Sequence, residues 1–330
     1  MSGELEAIEE FECFGSRCLA LASGPGRAGS ACEAATLAKR TLLGWHARFS
    51  RFLPASELSR LNEDRRETVP VKALMARFAQ AVREAGELSG GLVDGTLVGE
   101  LERAGYDRDL GEALGLDGAL ALAPPRAPAG PAHGERWREI EVDLEAHTVT
   151  RPPGVRLDSG GLAKGLFADV LGATLATHKS FAVNCAGDLL LGGTAGLERA
   201  VKVESPFDGH TIHTFHLAHA GVATSGIGRR SWMDVTDPAH PKPAHHLLDP
   251  ATGRPAFTGI VQVTALGPSA LAAEIKAKAA LLSGPGRARG WLAQGGVIVF
   301  DNGSHELVQP PSEVTLERLS AFMRTPAGQA

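Results

Sequence analysis

The sequence predicts an α+β fold in which helices pack on mixed, mostly antiparallel sheets. Long stretches with helical periodicity occur among short strands that follow one another closely enough to form hairpins. The chain has 330 residues, of which 43% are hydrophobic and 22% charged, as in a globular protein with a sizeable core. No repeat with a period of about 20 to 50 residues is apparent, so a solenoid or propeller is not expected.

The first half of the chain alternates strand and helix signals. Glu57, next to Ser56, suits the first turn of a helix, where an acidic group interacts favourably with the helix dipole. The expected elements are a strand or strand pair at 11–22, a helix from near Ser30 to His46, a loop at 48–63 with a short helix from Ser56, a helix at 70–88 and a glycine-rich turn at 89–96.

The second half predicts more strands than helices. The expected elements are a hairpin at 139–143 and 148–150, a strand end, Gly-Gly turn and helix over 157–176, and the short strands FAVNC, DLLLGG, AVKVE, TIHTFHL and GVATSG. A last segment predicts a strand at 260–266, helices at 269–282 and 284–293, and a strand at 296–300.

The chain is interpreted as one domain over 11–320, between an acidic tail at 1–10 and a C-terminal tail at 321–330. The Pro-, Ala- and Gly-rich stretch 123–135 is interpreted as a flexible surface loop within that domain. With a formal net charge of -5 the sequence has no basic footprint, so we do not expect nucleic acid as a partner. The four scattered cysteines have no metal-ligand spacing, and we expect them to be reduced and mostly buried.

The beginning of the sequence does not resemble a secretion signal. MSGELEAIEE carries four glutamates and no apolar core. No run of about 18 apolar residues is present that would predict a membrane span. We therefore expect a cytoplasmic protein without membrane insertion.

Several stretches carry residues that suit chemistry. DSGGLAKG (158–165) places a carboxylate, a Gly-Gly turn and Lys164 at the start of a helix, where backbone N–H groups would suit a phosphate. A glycine turn beside a solvated lysine is the alternative. GVATSG (221–226) ends in small hydroxyl residues that let a ligand approach the backbone. In NCAGDLLLGG (184–193), Asp188 suits a turn cap as well as a site.

Two further stretches are informative. In HHLLDPATGRP (245–255), Asp-Pro and Thr-Gly are ordinary turn chemistry, but no turn requires the two histidines. A histidine here suits a general base near neutral pH. In the helix at 269–284, Glu274 and Lys278 lie four apart on one face, which taken alone predicts an exposed ion pair.

In this order, the stretches resemble the ApbE family, the FAD:protein FMN transferases. The resemblance extends from about Cys13 to Asn302. The matching stretches are FGS (14–16), SRFLPASELSRLN (50–62), GGLVD (90–94), LDSGGLAKG (157–165), VNCAGD (183–188), ATSG (223–226), HHLLDPATG (245–253) and SALAAEIKAKAALLSG (269–284). The HHxxDPxTG and DxGGxAKG elements are quite specific to this family.

The resemblance implies a T-fold-like α+β architecture and an FAD site. Members of the family cleave FAD and transfer FMN to a serine or threonine of a target protein, and some hydrolyse FAD to FMN and AMP instead. Magnesium assists both reactions. The implied partners are FAD and an unidentified flavin-acceptor protein.

The resemblance also implies roles for individual residues. His246, Lys164 and Asp249 are the expected catalytic residues: His246 assists proton transfer, Lys164 faces the pyrophosphate, and Asp249 with Gly253 fixes the turn. Phe14 falls where the family usually has a methionine against the flavin. The implied FAD contacts are Phe14, Phe52, Leu92, Val93, Asp94, Asp158, Lys164, Thr224, Ser225, Gly226 and Leu248.

The sequence departs from the family at the metal positions. These correspond to the Gly161 carbonyl, Glu274 and Lys278, where the last two are usually aspartate and threonine. A protonated lysine cannot bind magnesium, and its ammonium would occupy part of the space of the ion. Three functions therefore stay open: an FMN transferase, an FAD pyrophosphatase, and an FAD-binding protein without turnover.

Overall fold

The computed structural model describes residues 6–108, 114–237 and 239–309 of the chain. Within these residues, the helices are α1 (Ala31–Phe49), α2 (Glu57–Glu63), α3 (Ala73–Ser89), α4 (Val98–Arg103), α5 (Leu116–Ala121), α6 (Ala163–Leu175), α7 (Ala270–Ser283) and α8 (Pro285–Trp291). In the same part of the chain, no helix combines the length and hydrophobicity needed to cross a membrane.

Strands are more numerous than helices in the described residues. They are β1 (Ala7–Cys13), β2 (Ser16–Ser23), β3 (Thr68–Pro70), β4 (Glu141–Asp143), β5 (Thr148–Thr150), β6 (Ser180–Cys185), β7 (Asp188–Gly192), β8 (Arg199–Glu204), β9 (Thr211–Leu217), β10 (Ala220–Gly226), β11 (Ser231–Asp234), β12 (Lys242–His245), β13 (Leu248–Asp249), β14 (Arg254–Pro255), β15 (Ile260–Gly267), β16 (Gly296–Phe300) and β17 (His305–Val308).

One eight-stranded sheet forms the centre of the fold, with strand order β1-β2-β6-β7-β10-β15-β16-β17. Every neighbouring pair in it is antiparallel. Four small sheets surround it: β3-β5-β4, β8-β9, β11-β12 and β13-β14. This arrangement confirms the predicted α+β class with mostly antiparallel sheets.

Three helices cover one face of the large sheet. Helix α1 contacts β1 and β2, α6 contacts β6 and β7, and α7 contacts β10 and β15. The apolar side chains between them form two large clusters, one around Phe78 and Phe167 and the other around Val263 and Leu281. On the opposite face, Val201 and Leu217 of the β8-β9 ribbon pack over Leu21, Ala182 and Leu191. Burial of both faces explains why β15 is apolar along nearly its whole length.

The longer predicted elements are confirmed, with shifts at their ends. Ser30 caps α1 in a capping box with Glu33, and Ser56 caps α2. The predicted first strand is the β1-β2 pair, and β1 begins within the segment interpreted as an acidic tail. The C-terminal tail lies outside the described residues.

The strand end predicted before the Gly-Gly turn is wrong. Leu157 belongs to no strand. The Asn62 side chain pairs with it instead, because its Nδ2 donates to the Leu157 carbonyl at 2.9 Å and its Oδ1 accepts from the Leu157 N–H at 2.8 Å. The Asn62 side chain thus makes the two hydrogen bonds that a neighbouring strand would make. The residues around Leu157 alone do not reveal this partner.

The stretch 123–135 has no regular secondary structure, yet it lies against the domain at several points. The Ala127 N–H donates to the Phe257 carbonyl at 3.1 Å and the Ala129 N–H to the Leu282 carbonyl at 2.8 Å. The cysteines are free, and three of the four are buried, as expected; Cys32 is exposed.

Candidate active site

Two adjoining cavities form a cleft beside α6 and α7. The larger has a volume of about 430 Å³ and the smaller about 70 Å³. Tyr106, Asp158, Gly160 and Arg230 line both, so the two cavities meet at these residues. A concave site with apolar walls and a few convergent charged groups is typical of a small-molecule site.

Flat side chains dominate the wall of the larger cavity. Phe14 and Phe52 line it, as the resemblance implies, together with Tyr106. Arg51 lies over the rings of Phe52 and Tyr106 at 4.3 and 4.5 Å from their centroids, and its Nε is 3.2 Å from the Asp158 carboxylate. These contacts hold an aromatic surface onto which a planar ligand would stack.

Phe14 has an unusual backbone for a bulky residue. It joins β1 to β2 in a two-residue turn with Gly15, where φ is 57° at Phe14 and 67° at Gly15. Positive φ at both positions is typical of a type I′ hairpin turn, which favours Asn or Gly at the first position. The ring packs on His46 and Phe167 at centroid distances of 5.0 and 5.7 Å. An aromatic residue under this strain is a reason to assign the turn a function.

The smaller cavity contains the implied contacts Leu92, Val93, Asp94 and Leu248. One oxygen of Asp94 accepts hydrogen bonds from the Thr96 N–H at 2.8 Å and the Thr96 hydroxyl at 2.6 Å. The other oxygen is buried and has no hydrogen-bond partner among the described atoms. Burial raises the pKa of Asp94. A buried carboxylate oxygen without a partner at a cavity wall suits a ligand N–H or O–H group.

The Gly-Gly turn of DSGGLAKG lies at the junction of the two cavities. The Asp158 N–H donates to the Gly95 carbonyl at 2.8 Å, and the Ser159 hydroxyl donates to the Phe49 carbonyl at 2.7 Å. Gly160 and Gly161 then lead into α6. These bonds fix the turn, and with it the start of the helix that carries Lys164.

Lys164 is not a solvated lysine, so that alternative is wrong. Its Nζ is 2.8 Å from the Asp188 carboxylate, and the side chain is largely buried while it lines the larger cavity. Burial alone would lower the pKa of Lys164, but the carboxylates of Asp188 and Glu274 outweigh it, and the pKa is raised. Lys164 therefore stays protonated at neutral pH. Asp188, which suited either a turn cap or a site, is the partner of this lysine.

The pair on α7 is buried, so the prediction of an exposed ion pair is also wrong. Glu274 is 0% exposed and Lys278 is 8% exposed. One Glu274 oxygen accepts from Lys278 Nζ at 2.8 Å, and the other accepts from the Gly165 N–H of α6 at 2.9 Å. Burial raises the pKa of Glu274, with Asp188 adding to the effect and both lysines opposing it.

Helices α6 and α7 cap each other. Asp169 of α6 accepts from the Ala270 and Leu271 N–H groups at 2.7 and 3.1 Å, while Glu274 of α7 accepts from Gly165. A carboxylate at a helix N-terminus satisfies free N–H groups and suits the dipole. This arrangement positions Lys164 and Lys278 on neighbouring helices.

His246 lines the smaller cavity and is half-buried. Its Nδ1 lies 3.4 Å from the Arg230 carbonyl. Burial lowers the pKa of His246 well below its ordinary value, and Arg230, His245 and Lys278 lower it further. The imidazole is therefore neutral at physiological pH. His245 points away, into the core against Phe257, and burial lowers its pKa to about 3.

Asp249 lies outside the residues that line the two cavities. Its carboxylate accepts from the Gly130 N–H at 2.9 Å, the Ala251 N–H at 3.1 Å and the Thr252 hydroxyl at 2.8 Å. The turn thereby holds Leu248 and the stretch containing Gly130 together. This geometry supports the expected shaping role of Asp249 and gives it no contact with the reacting atoms.

Thr224, Ser225 and Gly226 also lie away from the cavity walls. They form the end of β10, where the Thr224 hydroxyl lies 2.8 Å from that of Thr264 on β15. The chain reaches the larger cavity only after this strand, at Arg229 and Arg230. The predicted ligand contacts therefore lie a few residues before those that line the cavity, Arg229 and Arg230.

Sequence reasoning missed the arginines of the site. Arg230 lines both cavities and donates to the Phe14 carbonyl at 2.8 Å, and Arg51 and Arg229 line the larger cavity. The available signals were the Arg-Arg pair just after ATSG and the arginine directly before Phe52. Together with Lys164 and Lys278, these residues give the cleft an excess of cations, which suits an anionic ligand.

The residues at the family's metal positions do not fit a magnesium ion. The Lys278 side chain passes close to Gly161, since a Cβ on that glycine would lie 3.5 Å from Lys278 Cε. Among residues 6–108, 114–237 and 239–309, no three His, Cys, Asp or Glu side chains are grouped so that they could hold a metal ion. Magnesium requires near-octahedral oxygen ligands, whereas here an ammonium occupies one ligand position.

Comparisons with known proteins agree with this fold. The model of the ApbE family matches residues 21–300. No curated protein sequence matches the chain significantly. The ApbE protein of Thermotoga maritima is similar in structure, with a TM-score of 0.71, 21% identity, and coverage of 95% of this chain and 99% of that one.

Two further solved structures are similar to this chain. The flavin transferase ApbE of Vibrio cholerae has a TM-score of 0.68 at 17% identity, covering 94% of this chain and 99% of its own. The flavinyl transferase ApbE of Pseudomonas stutzeri, in its apo form, has a TM-score of 0.69 at 18% identity, covering 95% and 96%. These likenesses confirm the predicted architecture.

Proposed function

This chain belongs to the ApbE family, and from this premise we propose that it is an FAD:protein FMN transferase. It would attach FMN through a phosphoester to a serine or threonine of a target protein and release AMP. The observation that carries the proposal is the cleft itself, in which an aromatic cavity adjoins two buried lysines and a neutral histidine. The structurally similar proteins of V. cholerae and P. stutzeri are described as flavin transferases.

The larger cavity would hold the isoalloxazine ring. Phe14, Phe52 and Tyr106 line it, and stacking on aromatic rings contributes about 0.5–1.5 kcal/mol for each aromatic pair. Its volume of about 430 Å³ lies within the usual range for ligand sites, roughly 300–1,000 Å³.

The pyrophosphate would lie where the two cavities meet. Lys164, Lys278 and Arg230 bring three cations to this place, from α6, from α7 and from the segment after β10. The Gly160–Gly161 turn has no side chains, so phosphate oxygens can approach its backbone. Leu92, Val93, Asp94 and Leu248 would contact the ligand from the smaller cavity.

In the reaction, the oxygen of the target hydroxyl forms a bond to the FMN-side phosphorus. The bond from that phosphorus to the bridging oxygen breaks, and AMP leaves with this oxygen. The lysines stabilise the charge that develops on the phosphate oxygens, so positioning and electrostatics provide the catalysis.

His246 would accept the proton of the hydroxyl. A carbonyl can only accept a hydrogen bond, so the Arg230 carbonyl, 3.4 Å from Nδ1, favours the tautomer with its hydrogen on Nδ1, in which Nε2 would be the base. The lowered pKa keeps this nitrogen unprotonated at neutral pH. The proton then passes to solvent, and the products are the flavinylated protein and AMP.

Release of AMP separates the three candidate functions. The purified protein is incubated with FAD alone, and with FAD plus a purified serine- or threonine-containing acceptor protein whose mass is then measured. A transferase releases AMP only with the acceptor, which gains one FMN unit. AMP without acceptor indicates a pyrophosphatase, and its absence in both reactions, with FAD bound, indicates a binding protein.

A further inference from the structure

The ion pair Glu274–Lys278 is placed differently from an ordinary helix-surface pair. Lys278 lines the smaller cavity together with Gly161, Asp158 and His246. Glu274 lies behind it, with one oxygen on Lys278 and the other on the Gly165 N–H at 2.9 Å. The carboxylate therefore anchors the ammonium of a lysine that borders the cavity.

Each of the two lysines already has a carboxylate partner. Lys164 pairs with Asp188 at 2.8 Å and Lys278 pairs with Glu274 at 2.8 Å. A divalent cation at this place would have to compete with both ammonium groups for the same two carboxylates. It would also carry two further positive charges next to Lys164, Lys278 and Arg230, which is unfavourable in a buried site.

We infer that Lys278, fixed by Glu274, is a built-in cation for the ligand phosphates, so that this protein binds FAD without a divalent metal ion. This rests on the proposed function, because it takes FAD as the ligand. A fixed ammonium supplies one positive charge and up to three N–H donors at a set position, whereas magnesium supplies two charges and open coordination positions. The inference therefore predicts an electrostatic role for Lys278 that is independent of magnesium.

The test is a titration of the protein with FAD, followed by flavin fluorescence, in the presence of chelator and in the presence of magnesium. We expect the wild-type Kd to be the same in both. Lys278→Thr should weaken binding about ten- to hundredfold in chelator, the effect of losing a charge-assisted hydrogen bond, and magnesium should restore part of the loss.

The chain offers a matched control on the same helix. Lys276 pairs with Gln294 outside the cleft, so Lys276→Thr should leave the Kd unchanged in both buffers. Because Lys278→Thr leaves Glu274 buried without its partner, it could prevent folding. The double variant Glu274→Gln with Lys278→Met removes both charges together and should also weaken FAD binding in chelator.

Tighter FAD binding by the wild type in magnesium than in chelator, by about tenfold or more, would overturn the inference. A second measurement does not depend on FAD at all. In a titration with Mn²⁺ alone, followed by electron paramagnetic resonance, we expect no Mn²⁺ site in the wild type that depends on Glu274. A Mn²⁺ site that is present in the wild type and lost in Glu274→Gln would overturn the inference. If FAD fails to bind in every buffer, the proposed function fails, and the Mn²⁺ titration still decides the question of the metal.

Discussion

At the scale of single residues, Lys164 should determine how tightly phosphates bind. Its ammonium lines the larger cavity and is held by Asp188 at 2.8 Å. Lys164→Met should weaken FAD binding by about 1.5–3 kcal/mol, the range for a charge-assisted hydrogen bond. Riboflavin, which has no phosphate, should bind almost unchanged. Calorimetric titration with both ligands measures the difference.

Two controls make the Lys164 measurement specific. The single variant Lys164→Met leaves the Asp188 carboxylate buried without its partner, and the double variant Lys164→Met with Asp188→Asn removes that charge as well. A loss of FAD affinity that persists in the double variant therefore comes from the missing cation. Lys202→Met on the exposed side of β8 should change neither affinity. An FAD affinity of Lys164→Met equal to that of the wild type would show that Lys164 only supports the fold.

His246 should affect turnover far more than binding. His246→Gln keeps a polar side chain of similar size but removes the base, so the rate of AMP release should fall about a hundredfold to ten-thousandfold while the Kd for FAD stays nearly constant. His240, which is exposed and pairs with Asp237, provides the control variant His240→Gln. An unchanged rate in His246→Gln would remove this residue from the mechanism.

The pH dependence follows from the same histidine. Burial, Arg230, His245 and Lys278 lower the pKa of His246 well below the ordinary value of about 6.5. His246 stops acting as a base when its imidazole becomes protonated. The loss of activity that this causes therefore falls on the acid side, near the lowered pKa of His246. We expect the rate of AMP release to be level from about pH 8 down through 6.5. A drop centred near 6.5 would show that the histidine has its ordinary pKa in the protein.

Some residues that line the cleft could be predicted from the sequence, and others could not. Phe14, Phe52, Lys164 and His246, which line the cleft, were expected at a site because they belong to stretches that resemble those of the family. Arg51 and Arg230 were missed, because arginine is common on surfaces and a position beside Phe52 or after ATSG does not show that an arginine faces a cleft. The burial of Glu274 and Lys278 was likewise hidden, because a four-residue spacing is the same on an exposed and a buried helix face.

At the scale of elements, the contact between α6 and α7 is the feature on which the site depends. Gly165 permits it, because a Cβ there would lie 2.8 Å from the Leu271 backbone and 2.8 Å from a Glu274 oxygen. Gly165→Ala should therefore destabilise the protein by about 1–3 kcal/mol, the usual effect of overpacking. Denaturant unfolding, followed by circular dichroism, measures this change.

Gly44 is the matched control for Gly165. It lies on α1, is exposed, and has no atom within 4 Å of an added Cβ. Gly44→Ala should stabilise the protein by about 0.4–1 kcal/mol, because alanine lowers the entropy of the unfolded chain. If the two variants changed the free energy of unfolding alike, the close approach of α6 and α7 would not be a constraint on the fold.

Long helices and strands were easier to predict from the sequence than short ones. Helices α1 and α3 carry enough turns to show an apolar face. Helix α7 and strand β15 are buried on nearly all sides and stand out instead as long, mostly apolar stretches. Strands β13 and β14 have two residues each and β3 has three, which is too short to show a period. Strands β13 and β14 pair with each other across a short turn, whereas β3 depends on β5, which is distant in sequence. The same applies to Leu157, where the Asn62 side chain acts as the neighbouring strand.

At the scale of the whole molecule, the site gathers residues from almost the entire chain. Phe14 lies near one end of the sequence and Leu282 near the other, and both line the cleft. The eight-stranded sheet brings these parts together by placing β1, β2, β6, β7, β10 and β15 side by side. The order of the strands depends on long-range pairing, so the fold class could be predicted from the sequence, whereas the strand order could not. The cytoplasmic location and the division into tails and one domain stay predictions.

We propose that the cleft binds FAD as a whole, with the flavin against the aromatic wall and the pyrophosphate at the lysines. Calorimetric titration of the wild-type protein with FAD, FMN and riboflavin in one buffer tests it most directly. We expect FAD to bind most tightly, because only FAD presents a ring to the larger cavity and a pyrophosphate to Lys164, Lys278 and Arg230. Equal affinities for FAD and riboflavin would contradict it.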